Sequence, residues 1–318
     1  RDRGGRQSAY LRGVATPQHG IFALGTRSHH HLQLDVADGV DGEELLRALG
    51  AVRDLATTIA GVNIVVGLGA DLCRRLLPDL LPADLVPFEE ISGGSNGSAV
   101  TMPADQHDLW IWLHASGPDA TFDTARAATR ALAGLATVAA EQPSFTYQAS
   151  RDITGFEDGT ENPPLDDALE AATIPAGRPG AGGSVVLLQR WVHDLDGFDA
   201  LEHDDQCQVF GRDKDTSEEL PDEVRSPRAH ISRVVIEDDA GEELEVFRRS
   251  TAFGGVLEHG LMFVAFSPDV ARLDRMLRRM VGEDDGLTDR LTDFSRSTGG
   301  AWYVAPPVDA FADWRTHD

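Results

Sequence analysis

Between residues 30 and 150 the apolar positions change period several times. Residues 30–36 read as a strand. Leu45, Leu49, Val52, Leu55 and Ile59 then recur at helical spacing and put one apolar stripe against a core. Asp41 stands three places before Glu44, the pattern of a capping box that opens this helix. The β-branched run at 62–68 predicts a second strand, DLWIWLHA at 108–115 a third, and residues 144–148 a last one. A second long helix is expected over 122–138, and SGGSNGS at 92–98 reads as a loop. Strand, helix, strand, strand, helix, strand is the order of a ferredoxin-like α+β unit.

Past Arg151 the texture turns to Gly, Pro and acidic residues before strands return at 184–193, 230–236, 245–249 and 261–266. A helix is expected over 270–281 and a short strand over 302–304. This half again reads as a mainly antiparallel sheet flanked by helices. Residues 1–20 read as a tail with turn residues, and the chain is expected to divide into units 1–150 and 151–318.

With 318 residues, 41% hydrophobic and 25% charged, the chain has room for two compact domains, or one large one, with a sizeable core. No window approaches 18 uninterrupted apolar residues, and Arg1–Gly5 lacks the apolar core of a secretion signal. Cys73 and Cys207 make neither a disulfide framework nor a metal-spacing motif, so a reducing cytoplasm is the expected setting. The formal charge is −25, and Lys214 is the single lysine. Such a field repels nucleic acid. It fits a highly soluble surface or a saline cytoplasm, or else a surface that gathers Mn(II) and repels anions.

Two segments carry candidate chemistry. In RDITGFEDGTENPP, residues 151–164, the glycines and the Pro163–Pro164 pair forbid regular structure and shape a loop with Asp158 at its middle. A solvated turn satisfies that pattern equally. Residues 228–255 read as a hairpin turning at 239–241, which sets His230 and Arg248 at similar distances along the two arms, at one open end. On residue type alone His230 also suits a structural histidine, and Arg248 a surface charge. His29-His30-His31 has no cysteine nearby and, on a strand, at most alternate rings share a face, so it is read as incidental. Gly67-Leu68-Gly69 has Leu72 where a dinucleotide fingerprint needs its third glycine, and a nucleotide site is rejected.

GFEDGTENP is similar to the G-x-x-D-G signature of the dye-decolourising peroxidases, with the Thr-Glu-Asn-Pro extension of their bacterial B-type members. RDITG, VVLLQRWVHDL at 185–195, VFGRDKDTSEEL at 209–220, AHISRVV at 229–235, FRRS at 247–250, GLMFVAFSPD at 260–269 and STGGAWYVAP at 297–306 resemble that family in the same order. The similarity runs from about Pro17 to Pro307. It implies two ferredoxin-like domains of α+β class and one haem b per chain, held mainly in the C-terminal domain. It further implies His230 as the proximal iron ligand, with Asp158 and Arg248 as the distal pair. Thr160, Glu161 and Ser250 are expected beside the cofactor, Ser250 standing where the family often has Asn. Glu243 is the expected acceptor for the far nitrogen of His230.

The implied activity is reduction of hydrogen peroxide through an oxoferryl state, with one-electron oxidation of dyes or phenols. Mn(II) and a homo-oligomer are further implied partners; nucleic acid and membrane are not. Asp158 would move the peroxide proton and Arg248 would stabilise charge on the leaving oxygen. Trp191, Trp302, Tyr303 and Tyr147 could relay electrons, although each also suits a core. A haem carrier or iron-release protein is the rival on the same fold; it needs His230 but not the Asp158–Arg248 pair. Trp314–Asp318 forms no long apolar extension of the kind that targets some B-type members to a protein shell, so packaging is not expected.

Overall fold

The computed structural model describes residues 15–58, 61–94, 99–238 and 240–311. Ile59, Asp239 and the 314–318 segment lie outside them. The first half runs β1 (Ser28–Val36), α1 (Gly42–Thr58), β2 (Asn63–Leu68), α2 (Ala70–Leu76), a small β3 (Ile91–Gly93) and β4 (Val100–Met102) ribbon, β5 (Leu109–Ala115), α3 (Pro118–Ala131) and β6 (Ala136–Phe145). Asp41 caps α1 as expected, its Oδ1 accepting from the Glu43 and Glu44 amides. Leu45, Leu49 and Val52 of that helix are fully buried against Leu32, Leu34, Ile64 and Val66 of the sheet.

The second half runs α4 (Leu165–Ala172), β7 (Ser184–His193), α5 (Leu195–Asp199), α6 (His203–Phe210), α7 (His230–Val234), β8 (Phe247–Arg248), β9 (Thr251–Gly254), β10 (His259–Ser267), α8 (Val270–Met280) and β11 (Ser295–Ala305). The strand orders β2-β5-β1-β6 and β11-β7-β10-β9 are the same ferredoxin-like order in each half. All pairings within the large sheet are antiparallel. The halves join where Ser144 on β6 meets Phe253 on β9 and where Val304 on β11 meets Leu68 on β2. These two seams, with the β7–β10 pairing, close the sheet into a barrel. Residue alternation then sorts side chains: Trp110, Trp112, Phe266 and Tyr303 cluster inside it, while Leu187, Trp191 and Trp302 belong to the helix-covered outer core.

Several elements differ from the sequence expectation. Residues 230–236 are not a strand: His230–Val234 is a short helix. Its β-branched run is overruled by Arg279, which donates to the carbonyls of Ser232 and Val235 and so satisfies the helix end from α8. The expected hairpin is reduced to a narrow Glu237–Glu243 bridge, with the Leu244 amide donating to the Ile236 carbonyl, and its outgoing arm is the two-residue β8. The second long helix starts at Pro118 and stops at Ala131, a turn with Gly134 at φ +83° follows, and the alanine-rich 136–145 stretch pairs with β1. The short strand expected at 302–304 is the end of an eleven-residue strand.

Candidate active site

The loop carrying Asp158 is built by local hydrogen bonds. Arg151 bridges to Glu157, the Asp152 amide donates to the Phe156 carbonyl, and the Asp158 amide donates to the Ser150 carbonyl at 3.0 Å. Gly155, at φ +92°, makes the turn that a side chain would strain. Lys214 stacks its ammonium 5.5 Å from the Phe156 ring and bonds Gln206, which fastens the loop to α6. Asn162 spans to β8: its amide nitrogen donates to the Arg248 carbonyl and its amide oxygen accepts from the Arg248 amide, both at 2.8 Å. The backbones that carry Asp158 and Arg248 are therefore tied together.

His230 opens α7. Gly211 ends α6 at φ +83°, and a Cβ there would lie 2.5 Å from Ile231 and 3.0 Å from Ala229, so only glycine lets α6 pack on this turn. His230 Nδ1 donates to Asp289 Oδ2 at 2.6 Å. Asp289 is fully buried, and its other oxygen caps the following turn by accepting from the Leu291 amide at 2.8 Å. The expected partner, Glu243, is exposed and does not line the cavity. A carboxylate fixed by its own amide bond, 59 residues along the chain, takes that role instead. With the proton held on Nδ1, the Nε2 lone pair of a neutral His230 is free to bind a metal.

His230, Asp158, Arg248, Thr160 and Glu161 line one cavity with about 1050 Å³ of free space including its open mouth, and Ser250, like Glu243, does not line it. Its walls are largely apolar, with Phe156, Trp191, Phe263, Leu277 and Met280 among them. Burial pushes the Asp158 carboxyl above its ordinary value; the charge of Arg248 opposes this and that of Asp152 adds to it. Arg248 Nε is buried with no partner among the described residues. Arg212, which the sequence reading did not single out, also lines the cavity and pairs with Glu161 and with Glu219. Asp152, His193 and Ser295 form a hydrogen-bonded row on the same wall. Trp191, Trp302 and Tyr303 are buried, in line with core roles.

An apolar slot, one imidazole with a fixed tautomer, an unpaired guanidinium nitrogen and a second arginine suit a flat macrocycle with a central metal and peripheral carboxylates. Among the described residues no three His, Cys, Asp or Glu side chains are assembled to hold a bare metal ion.

Comparison with known proteins agrees. The sequence models of the Dyp-type peroxidase N-terminal and C-terminal domains match residues 18–146 and 149–310. A dye-decolorizing peroxidase of Mycolicibacterium paratuberculosis is 36% identical over 308 residues, covering 92% of this chain and 84% of that protein. Among solved structures, DyPB from Rhodococcus jostii RHA1 superposes with a TM-score of 0.85 at 32% identity, covering 94% of this chain and 98% of that one. A variant of that protein in complex with heme and a DypB variant in complex with manganese match with TM-scores of 0.84 and 0.82, each at 32% identity and covering 95% of this chain and 99% of theirs. The chain belongs to the Dyp-type peroxidase family.

Proposed function

We propose that the protein is a haem peroxidase that reduces hydrogen peroxide and oxidises dyes, phenols or other one-electron donors, with haem b, one per chain, in the His230 cavity. The observation that carries this reading is the convergence of His230, locked by Asp289, with Asp158 and Arg248 on one cavity. Bound haem would supply the redox chemistry, accepting the two oxidising equivalents of peroxide and passing them to donors. His230 Nε2 would hold the iron, and the buried Asp289 carboxylate would orient the ring and raise its basicity. Arg212 is placed to meet the haem carboxylates, in competition with Glu161 and Glu219.

Asp158, when ionised, would take a proton from one peroxide oxygen and return it to the other, the leaving oxygen. Groups of this kind contribute about 10²–10⁴-fold. Arg248 would stabilise negative charge on the leaving oxygen through its guanidinium hydrogen bonds. Asn162 holds the two in register through the Arg248 backbone. The carrier reading needs neither Asp158 nor Arg248, and both line the cavity.

Mn(II) belongs among the electron donors on the strength of the −25 charge and of the manganese complex of a relative. Glu161 and Glu243 would attract the cation; partial burial, and then the neighbouring Glu161 charge, raises the Glu243 carboxyl above its ordinary value. The two cysteines are free and buried, which supports a cytoplasmic setting, and no described helix is long and apolar enough to cross a membrane. The reading also includes a homo-oligomer, to be checked by light scattering, and a boundary near residue 150 between the two ferredoxin-like units.

The deciding experiment compares His230→Ala, Asp158→Ala and Arg248→Leu. The first is expected to lose haem while keeping the fold. The other two are expected to keep haem and react slowly with peroxide in stopped flow. A His230→Ala protein with an unchanged imidazole-ligated ferric spectrum, or wild-type peroxide rates in both distal variants, would overturn the assignment.

A further inference from the structure

A second cavity, open to solvent and with about 510 Å³ of free space including its mouth, occupies one end of the barrel interior and is lined from β1, β6, β7, β10 and β11. Its residues are unlike those of the cleft. Leu188, Met262, Ala140 and Ala301 give apolar wall, and Gln142, Arg190 and His31 give polar points. His31 is 2% exposed. Its Nδ1 accepts from the indole nitrogen of Trp110 at 3.3 Å, and its Nε2 is buried with no partner among the described protein atoms. Burial holds this imidazole well below the ordinary histidine range, so it is neutral at pH 7. An indole can only donate, so Nδ1 is the acceptor and Nε2 carries the hydrogen. A buried N–H donor therefore faces an acceptor that the protein does not provide.

The surrounding charges select what that acceptor can be. Arg190 is neutralised by Glu258 at 2.6 Å and also donates to Gln142 Oε1 at 3.1 Å and Thr298 Oγ1 at 3.2 Å. Asp105 adds a negative charge to the lining. An anion gains no free cation here. The Gln142 amide oxygen keeps a second lone pair for a donor. A group that both accepts from His31 and donates to Gln142 is a hydroxyl. The apolar walls, from Leu188, Met262, Ala140 and Ala301, suit one ring attached to it.

We propose that this barrel-end cavity is a binding site for a small neutral hydroxyarene, with His31 Nε2 donating to the hydroxyl oxygen and Gln142 accepting its hydrogen. The site is distinct from the cleft and does not depend on the cofactor. Along β7, Leu188 and Arg190 face the barrel while Gln189, Trp191 and His193 face the cleft; on β10, Met262 faces the barrel while Leu261 and Phe263 face the cleft. A ring seated there lies behind the strands that form the cleft wall.

The test is fluorine NMR titration of 4-fluorophenol into the protein, with and without haem. Fluorobenzene and 4-fluorobenzenesulfonate serve as probes lacking the hydroxyl and carrying a charge. Saturable 4-fluorophenol binding is expected in both forms of the protein, with both other probes weaker by about tenfold or more. His31→Phe, which removes the donor and keeps a stacking ring, and Ala140→Phe, which fills the half-buried mouth, are each expected to weaken it by about tenfold. Haem spectra and peroxide rates of both variants should stay at wild-type values. Unchanged 4-fluorophenol affinity in both variants, equal affinity for fluorobenzene, or no saturable binding would overturn the site. Because binding is read without haem as well, a failure of the peroxidase reading leaves this result standing by itself.

Discussion

Asp289→Asn tests the site at its most specific contact. Asp289 serves two donors at once, His230 Nδ1 at 2.6 Å and the Leu291 amide at 2.8 Å. An asparagine has one oxygen for these two donors. If its oxygen stays on Leu291, its NH₂ faces His230, which must then accept at Nδ1 and carry its hydrogen on Nε2, where no metal can bind. If it turns over, the imidazole keeps its tautomer but two N–H groups meet at the Leu291 cap. That cap is worth about 1 kcal/mol, and a hydrogen bond to a buried charge is worth about 1.5–3 kcal/mol. Outer-shell substitutions of this kind cost about 10–100-fold in metal affinity. Haem affinity of the variant is therefore expected to fall by about 10–100-fold. Quenching of intrinsic fluorescence in a haem titration can measure it, since Trp191 lines the cavity. Glu243→Gln is the control; its side chain is exposed and its haem affinity should not change. Wild-type affinity in Asp289→Asn, or a loss in Glu243→Gln, would refute the assignment of Asp289 as the partner that matters.

Three further outcomes are expected. Burial raises the Asp158 carboxyl above its ordinary 3.8, so the ionised base is lost as pH falls through a value higher than 3.8; the acid limb of the peroxide rate should lie above that pH. Arg248→Leu removes an opposing positive charge and should move the limb higher still, and a limb at or below 3.8, or one unmoved in that variant, contradicts the reasoning. Asn162→Ala deletes both bonds to the Arg248 backbone, at about 1–3 kcal/mol, and should slow the peroxide step while haem loading stays complete; stopped flow and a haem assay separate the two. With a formal charge of −25, oxidation of an anionic dye at pH 7 should speed up as salt is added, whereas a neutral phenol should respond little; identical salt profiles for the two donors would remove the electrostatic account.

Much of this protein is set by local pattern. The capping box at Asp41 and the helical stripe after it, the β-branched run of β2 and the apolar strands β5, β7 and β10 each announce their own conformation, because the forces involved act within a few residues. The glycine turns around Asp158 are legible for the same reason, and the ordered motifs shared with a known family put His230, Asp158 and Arg248 on view together. What pattern could not decide depends on partners far along the chain. Residues 230–234 carry a strand-like composition yet form a helix, because Arg279 supplies the hydrogen bonds that its end requires. The helix expected over 122–138 stops at Ala131, and residues 136–138 instead open a strand, because β1 offers an edge to pair with. The choice of Asp289 over the nearer Glu243 follows from burial: an acceptor held rigidly by its own amide bond beneath α7 can bind an imidazole that an exposed carboxylate does not reach. The barrel, with its own cavity behind the cleft, arises only where strands from the two halves meet, at contacts such as Ser144 with Phe253 that join residues more than a hundred positions apart. Such pairings are fixed by tertiary packing, and no local periodicity in the sequence encodes them.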